Sequence, residues 1–309
     1  MKWIKKSLIY VPDGSSGWAK TTATLPTPYL RKDGSLRVFL GFLDDFNIGR
    51  IGYVDIDPEN PKVIYKVSSQ PVLNIGEEGA FDDNGVVPLS IIEYENKLFL
   101  YYVGFQKGVK VPYYMFCGLA ISEDDGDTFY RHSKAPILDR TNNELFARCG
   151  VSVIRDANIW EMWYVGSIKE GWVYKDDKRL PLYQIKYLES QDGINWGFVE
   201  GKNCLNFKNN DEHGFGRPFV IKEGNVYKMF YSIRTLSKGY RIGYGESLDG
   251  VSWKRLDEQI GIDVSKEGWD SEMICYSAIF KYNNKTYIFY NGNRLGRTGF
   301  GYAILEENT

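Results

Sequence analysis

Five short stretches of this chain concentrate side chains that could do chemistry: Gly17-Trp-Ala-Lys-Thr21, Phe81-Asp-Asp-Asn-Gly85, Glu144-Leu-Phe-Ala-Arg148, Glu212-His-Gly-Phe-Gly-Arg217 and Gly268-Trp-Asp-Ser-Glu272. Arg234 and the run Asn291-Gly-Asn-Arg294 add to them. Together they hold the carboxylates of Asp82, Asp83, Glu212, Asp270 and Glu272 and the guanidinium groups of Arg148, Arg217, Arg234 and Arg294. His213, Asn293, Trp18 and Trp269 complete the set. Acids, arginines and indoles gathered at one place suit a polar ligand with flat apolar faces. Carbohydrate is the natural candidate, because hydroxyls pair with Asp, Glu, Asn and Arg while C–H faces rest on aromatic rings. Two carboxylates flanking a glycosidic bond are the usual chemical minimum for cleaving it, one as general acid and one as base or nucleophile. Some of these acids could instead only pair with neighbouring arginines to hold the fold together. Asp125, Asp192 and Asp249 are set aside, since each precedes a glycine in a hairpin-turn pattern that favours Asp-Gly for its backbone geometry.

The stretches lie far apart in sequence, so a repeated architecture must bring them together. A dense apolar strand recurs around Leu40, Tyr102, Tyr164, Tyr231 and Tyr290, at separations of 62, 62, 67 and 59 residues. A second strand follows each one: Ile51-Gly-Tyr-Val, Cys117-Gly-Leu-Ala, Ile185-Lys-Tyr-Leu, Ile242-Gly-Tyr-Gly and Phe300-Gly-Tyr-Ala. A third strand precedes them in every unit, joined by turns such as Lys32-Asp-Gly-Ser and Glu223-Gly-Asn. Two independent series with one count and one period define five repeats. Three or four strands per repeat, with no long amphipathic helix, predict an all-β, five-bladed β-propeller of antiparallel sheets around a central channel, with residues 1–309 forming one domain. The fifth unit lacks a fourth strand and the segment Ser7-Leu-Ile-Tyr-Val11 stands alone before the first, so pairing the two would close the ring and remove two exposed edges. Neighbouring antiparallel strands put the start of one and the end of the next at the same end of a blade. All the stretches above should therefore converge on one mouth of the channel.

Composition narrows the function classes. Lys and Arg number 38 against 40 Asp and Glu, a net charge of -2, which argues against a general nucleic-acid or membrane-surface binder. Aromatic residues make up 16% of the chain and Gly outnumbers Pro by 32 to 11, a balance that leans toward strands and turns. The four cysteines lie far apart and only two histidines are present; they read as small buried thiols, and no metal or other cofactor is expected. No apolar run approaches the roughly 20 residues of a membrane span, and a cytoplasmic location is expected.

The five-repeat pattern, with Ser-x-Asp-Gly-x-x-Trp hairpins after Ile-Gly-Tyr strands, resembles the five-bladed β-propeller glycosidases, the superfamily joining glycoside hydrolase families 32, 43, 62, 68 and 130. Phe81-Asp-Asp-Asn-Gly-Val-Val-Pro88, Arg217-Pro218, Gly268-Trp-Asp-Ser-Glu-Met273 and Tyr290-Asn-Gly-Asn293 are similar to an uncharacterised glycosylase subgroup within it. Families 32 and 43 carry a catalytic Asp at the start of the first blade, whereas Trp18-Ala-Lys-Thr-Thr-Ala-Thr24 holds no carboxylate. The Arg-Asp-Pro and Glu-Cys motifs of family 32 are replaced by Arg217-Pro218 and Arg148-Cys149. The resemblance therefore implies displaced catalytic acids.

The resulting expectation is a glycoside hydrolase or phosphorylase, with Glu272 as general acid and Asp83 as base or acid partner. Asp82, Asp270 and Glu212 would contact hydroxyls, and Trp18, Trp269, His213 and Asn293 would complete the sugar site. Arg148, Arg217, Arg234 and Arg294 would hold an anionic group, either the phosphate of a phosphorylase or the carboxylate of an acidic sugar. The expected partner is a carbohydrate or sugar-phosphate ligand, with no nucleic acid and no membrane; oligomeric state is not legible. A non-catalytic sugar-binding propeller is the alternative.

Overall fold

The computed structural model describes residues 1–306. Strand β1 (Trp3–Tyr10) comes first and belongs to the last sheet. Blade one is β2 (Ala23–Leu30), β3 (Leu36–Leu43), β4 (Gly49–Ile56) and β5 (Ile64–Val67). Blade two is β6 (Val86–Tyr94), β7 (Lys97–Lys107), β8 (Tyr113–Ser122) and β9 (Tyr130–Arg131). Blade three is β10 (Ala147–Asp156), β11 (Ile159–Lys175), β12 (Lys178–Ser190) and β13 (Lys202–Asn203). Blade four is β14 (Glu212–Glu223), β15 (Val226–Thr235), β16 (Arg241–Ser247) and β17 (Lys254–Arg255). Blade five is β18 (Cys275–Tyr282), β19 (Lys285–Asn291) and β20 (Phe300–Leu305), with β1 as its outer strand.

Each blade is an antiparallel meander, and the five-bladed propeller is complete. The innermost strands touch in the order β2, β6, β10, β14, β18 and back to β2. The chain's first strand pairs antiparallel with its last, from Trp3 opposite Leu305 to Tyr10 opposite Phe300. Lys5 reinforces that seam, its Nζ 2.7 Å from the buried carboxylate of Asp270. Short parallel bridges join neighbouring blades beside the channel, Arg148 to Phe116 and Tyr183 to Gly214.

The aligned tyrosines of the repeat form a recurrent buried clasp. Tyr102 donates to Asp82 at 3.0 Å, and Arg131 closes on the same carboxylate at 2.8 Å. Tyr164 donates to Glu144, which also meets Arg148 at 2.8 Å and Lys186 at 2.9 Å. Tyr231 donates to Asp257, and Arg255 bridges Asp257 to Glu212 at 2.7 and 2.8 Å. Tyr290 donates to Asp270 at 3.0 Å. A buried charge is tolerated only when paired and hydrogen-bonded, and each clasp pairs its carboxylate with a cation, although the Oδ1 of Asp82 is left without a partner. Blade one has Leu40 at this place and lacks the phenol.

The repeated glycine of the third strand has an equally local cause. The ring of Trp18 lies where a Cβ on Gly52 would stand, and Phe81 and Trp269 do the same over Gly118 and Gly301. The Asp-Gly hairpins are turns: Asp192 accepts the backbone N–H groups of Ile194 and Asn195 at 2.8 Å. Against the upward push of partial burial, those bonds hold its carboxyl down at about 2. All four cysteines are buried free thiols. Among the described residues no helix is long and apolar enough to cross a membrane.

Candidate functional site

Every innermost strand breaks its ladder at the same level. Register shifts fall between Thr24 and Thr27, Pro88 and Ser90, Cys149 and Ser152, Gly216 and Phe219, and Cys275 and Ala278. A bulge re-aims one side chain out of the pleat. Here Leu25, Leu89, Gly150, Arg217 and Tyr276 all reach the channel and line one cavity of about 490 Å3. Four of the five adopt positive φ: Leu25 at 58°, Gly150 at 60°, Arg217 at 31° and Tyr276 at 55°. For a non-glycine residue this costs about 1–3 kcal/mol and persists only where the surroundings hold it. Asn291 does so for blade one: its Oδ1 accepts the Leu25 N–H at 2.8 Å while its Nδ2 donates to the Ala23 carbonyl at 2.7 Å. Ser232 accepts the Tyr276 N–H at 2.9 Å.

Arg217 crosses the channel at this level. Its Nη1 donates to the carbonyls of Tyr276 and Ser277, and its Nη2 to Thr27 Oγ1 and the Leu89 carbonyl. Three other blades are thus tied to blade four by one side chain. Nε is buried with no partner, and burial pulls the guanidinium down to about 9. Above the ring, the β7–β8 and β11–β12 hairpins extend the walls with Phe105, Tyr113, Trp172 and Tyr183. Arg179 lies 4.2 Å over the ring of Trp172, and Arg234 lies 4.8 Å over Tyr183 while donating to the Pro181 carbonyl. A second compartment of about 450 Å3 adjoins the first, sharing Leu25, Val87, Phe105, Tyr113, Tyr276 and Leu295 with it. Thr22, Thr24, Asn47, Asn84, Arg294 and Arg297 line it. Among the described residues, neither compartment is lined by a single carboxylate.

Of the residues singled out in the sequence, Arg217, Arg234 and Arg294 come to this mouth. The acids expected to touch hydroxyls do not: Asp82, Glu212 and Asp270 are buried in the blade clasps, where Tyr102 and Arg131 reach Asp82, Tyr290 and Lys5 reach Asp270, and Arg255 and the Lys208 N–H reach Glu212. Arg148 is fully buried, bound to Glu144 and to the carbonyls of Asp139 and Val199. Trp18 donates to the Ser69 carbonyl and packs on Phe42, and Trp269 stacks on Tyr290 at 5.1 Å, so both indoles are packing residues rather than exposed sugar platforms. Asn293 accepts the N–H groups of Glu272 and Met273 and shapes the turn that carries Arg294. His213 lines a separate cleft behind the β11–β12 hairpin with Glu212 and Phe207; burial first, and then Arg234, push its imidazole down to about 4. Asp83 is half-buried and accepts the Gly79 N–H at 2.9 Å, and Glu272 is exposed. Neither lines the two compartments, although Asp83 directly precedes Asn84, which does.

No family model matches the chain. The uncharacterised protein Rv1502 of Mycobacterium tuberculosis strain H37Rv is 34% identical over 307 residues, covering 99% of this chain and 100% of that protein. Uncharacterised protein MT1551 of strain CDC 1551 matches to the same extent. The chain belongs to the Rv1502 family. Among solved structures, a complex of BT0996 with RGII superposes with a TM-score of 0.75 at 18% identity, covering 99% of this chain and 92% of that one. A thermostable family-43 glycoside hydrolase gives 0.69 at 16% identity, covering 96% and 91%. A GH130 structure from a study of mannoside phosphorylases and β-1,2-mannoside hydrolases gives 0.71 at 13%, covering 99% and 94%. These likenesses show the fold, a five-bladed β-propeller.

On this fold the Rv1502-family chain builds its mouth largely from residues that motif reasoning passed over: Leu25, Tyr113, Arg179, Tyr183, Tyr240 and Tyr276. One signal for Arg179 was present. The separation of 67 residues between Tyr164 and Tyr231 is the longest of its series, and the extra length is the tall β11–β12 hairpin. Nothing in the sequence distinguishes Tyr276 from the tyrosines of the core.

Proposed function

We propose that this chain is a carbohydrate-active propeller whose mouth recognises an anionic sugar, either an acidic sugar or a sugar phosphate. The observation that carries this reading is the charge of the lining: Arg179, Arg217, Arg234, Arg294, Arg297 and Lys107 with no carboxylate among the described residues. Arginines elsewhere in the molecule, such as Arg148 and Arg255, are neutralised by buried acids. Arg217 has its terminal N–H groups engaged by protein oxygens, and Arg179 and Arg234 are left with carbonyl and aromatic neighbours and Arg297 with the amide of Asn47. A planar guanidinium in that state favours a bidentate phosphate or carboxylate. Thr22, Thr24, Asn47 and Asn84 supply the hydroxyl and amide partners a sugar ring needs. Neighbours on the same fold include proteins solved with RGII and with sucrose.

The test is calorimetric titration with glucuronate, galacturonate, glucose 1-phosphate and mannose 1-phosphate against neutral glucose and mannose. Anionic members should bind, weaken as salt is raised, and lose at least about tenfold in affinity in Arg234→Met, one to two charge-assisted hydrogen bonds. Neutral sugars binding as well as anionic ones would sink the reading.

A second reading, cleavage of a glycosidic bond with Asp83 and Glu272 as the carboxylate pair, is favoured by the position of Asp83 beside Asn84 and by the Asn293 bonds that join Glu272 to the Arg294 turn. Mass spectrometry of glycans and activated sugars, with and without phosphate, checks it. Product that vanishes in both Asp83→Asn and Glu272→Gln supports cleavage; product unaffected by either refutes that pair.

A further inference from the structure

The two compartments of the mouth differ sharply in chemistry. The outer one offers hydroxyl and amide groups, which both donate and accept. The inner one has no amide and no aliphatic hydroxyl: among its described lining residues there is no Asp, Glu, Asn, Gln, Ser or Thr. Its walls are side chains such as Leu89, Val103, Met115, Phe146, Val165 and Phe215. Its polar side chains are four phenols, a buried thiol and the guanidinium groups of Arg179, Arg217 and Arg234. Guanidinium only donates, and the terminal N–H groups of Arg217 are already bonded to protein oxygens. Side-chain oxygens that could accept from a sugar are thus confined to the four phenols, and a sugar ring pushed into this cavity would leave its other hydroxyls against hydrocarbon, where each unpartnered one is costly.

An apolar group would meet no such penalty. Arg179 and Arg234 stand on the hairpin side of the cavity, packed on Trp172 and Tyr183, and the Nε of Arg234 is buried without a partner. Leu25, Val87, Phe105, Tyr113, Tyr276 and Leu295 line both compartments and form the threshold between them. We infer that the mouth takes an anionic sugar bearing an apolar aglycone, with the sugar in the outer compartment, the aglycone in the inner one, and the anionic group at the threshold, between the arginines of the inner lining (Arg179, Arg234) and those of the outer lining (Arg294, Arg297). This rests on the anionic-sugar reading above and names its substrate class. The aglycone is an alkyl or isoprenoid chain or an aromatic ring, since both are satisfied by the same walls.

The experiment separates the inner cavity from the sugar. Calorimetric titrations compare inorganic phosphate with hexyl phosphate and phenyl phosphate, and glucuronate with phenyl glucuronide, on the wild type and on Val165→Thr and Asn84→Ala. Val165 is buried in the wall, and threonine keeps its shape while adding a hydroxyl. The expected result is at least about tenfold tighter binding of an organic phosphate than of inorganic phosphate, with that gain falling several-fold in Val165→Thr and unchanged in Asn84→Ala. A larger gain for hexyl than for phenyl phosphate identifies a chain, and the reverse identifies a ring. Equal affinity for inorganic and organic phosphates overturns the inference while leaving anionic-sugar binding intact. An organic-phosphate gain with no effect of Asn84→Ala on the affinity for glucuronate or phenyl glucuronide overturns the sugar reading and, with it, the assignment of the outer compartment.

Discussion

Arg217 and Arg234 were alike in sequence terms, yet they meet different fates. The terminal N–H groups of Arg217 are engaged by oxygens of three other blades, whereas Arg234 donates to a single carbonyl and rests on two tyrosine rings. Arg217→Met should therefore lower stability by roughly 1–3 kcal/mol, because buried carbonyls lose their donors. Arg234→Met should show its effect in anion affinity with little change in the urea midpoint. Denaturant melts of the two variants check the contrast. His213 supplies a pH signature. Its imidazole stays neutral in the fold down to about 4, while in the unfolded chain it takes up a proton near its ordinary value of about 6.5. Its contribution to stability is complete above the unfolded value and is lost progressively as pH falls from there toward 4, because only the unfolded state binds the proton. His213→Gln should flatten that part of the stability profile; an unchanged slope between pH 7 and 4 would show that the imidazole is not kept neutral.

At the scale of elements, two devices recur: the tyrosine clasp and the aromatic ring over a strand glycine. Gly118→Ala tests the second. A Cβ there would lie 2.6 Å from Phe81 Cζ and collide with Tyr102 as well, so the variant should lose about 1–3 kcal/mol by overpacking, read as a lowered thermal midpoint. Asp270→Asn tests the first where it also holds the ring shut. It removes the Lys5 ion pair and weakens the Tyr290 bond, and should cost roughly 1–3 kcal/mol, the range for hydrogen bonds to charged groups. Amide exchange in β1 should rise more than exchange in β7 or β15; uniform acceleration would mean that β1 does not open separately. The strands themselves were legible in sequence, since alternation and Gly-punctuated turns set them locally. The bulges were not: a bulge at Leu25 or Tyr276 depends on Asn291 and Ser232, which approach from the preceding blade.

For the whole molecule, the mouth is a cationic, partly apolar basin in a protein whose net charge is only -2. The balance is local segregation, with acids drawn into blade clasps and arginines left at the channel. Ligand affinity should fall as ionic strength rises, because exposed charges such as Arg179, Arg294 and Arg297 are screened within roughly 10 Å at 0.1 M salt. Titrations of the tightest anionic ligand at 20 and 300 mM salt check this, and a flat dependence would remove the exposed arginines from the site.

The amino-acid sequence by itself determined the architecture. Repeat period, alternation, Asp-Gly turns and the Tyr and Gly positions are short-range properties, and each blade satisfies them within about sixty residues. Tertiary structure alone decided which of the charged residues near the channel face it. Asp82, Glu212 and Asp270 stand beside the mouth in sequence terms, but a buried carboxylate goes to whichever cation and hydroxyl lie within hydrogen-bond reach, and those come from other strands: Arg131, Arg255 and Lys5. The mouth is then made by what remains unneutralised, a property of the packed ring and of no single segment.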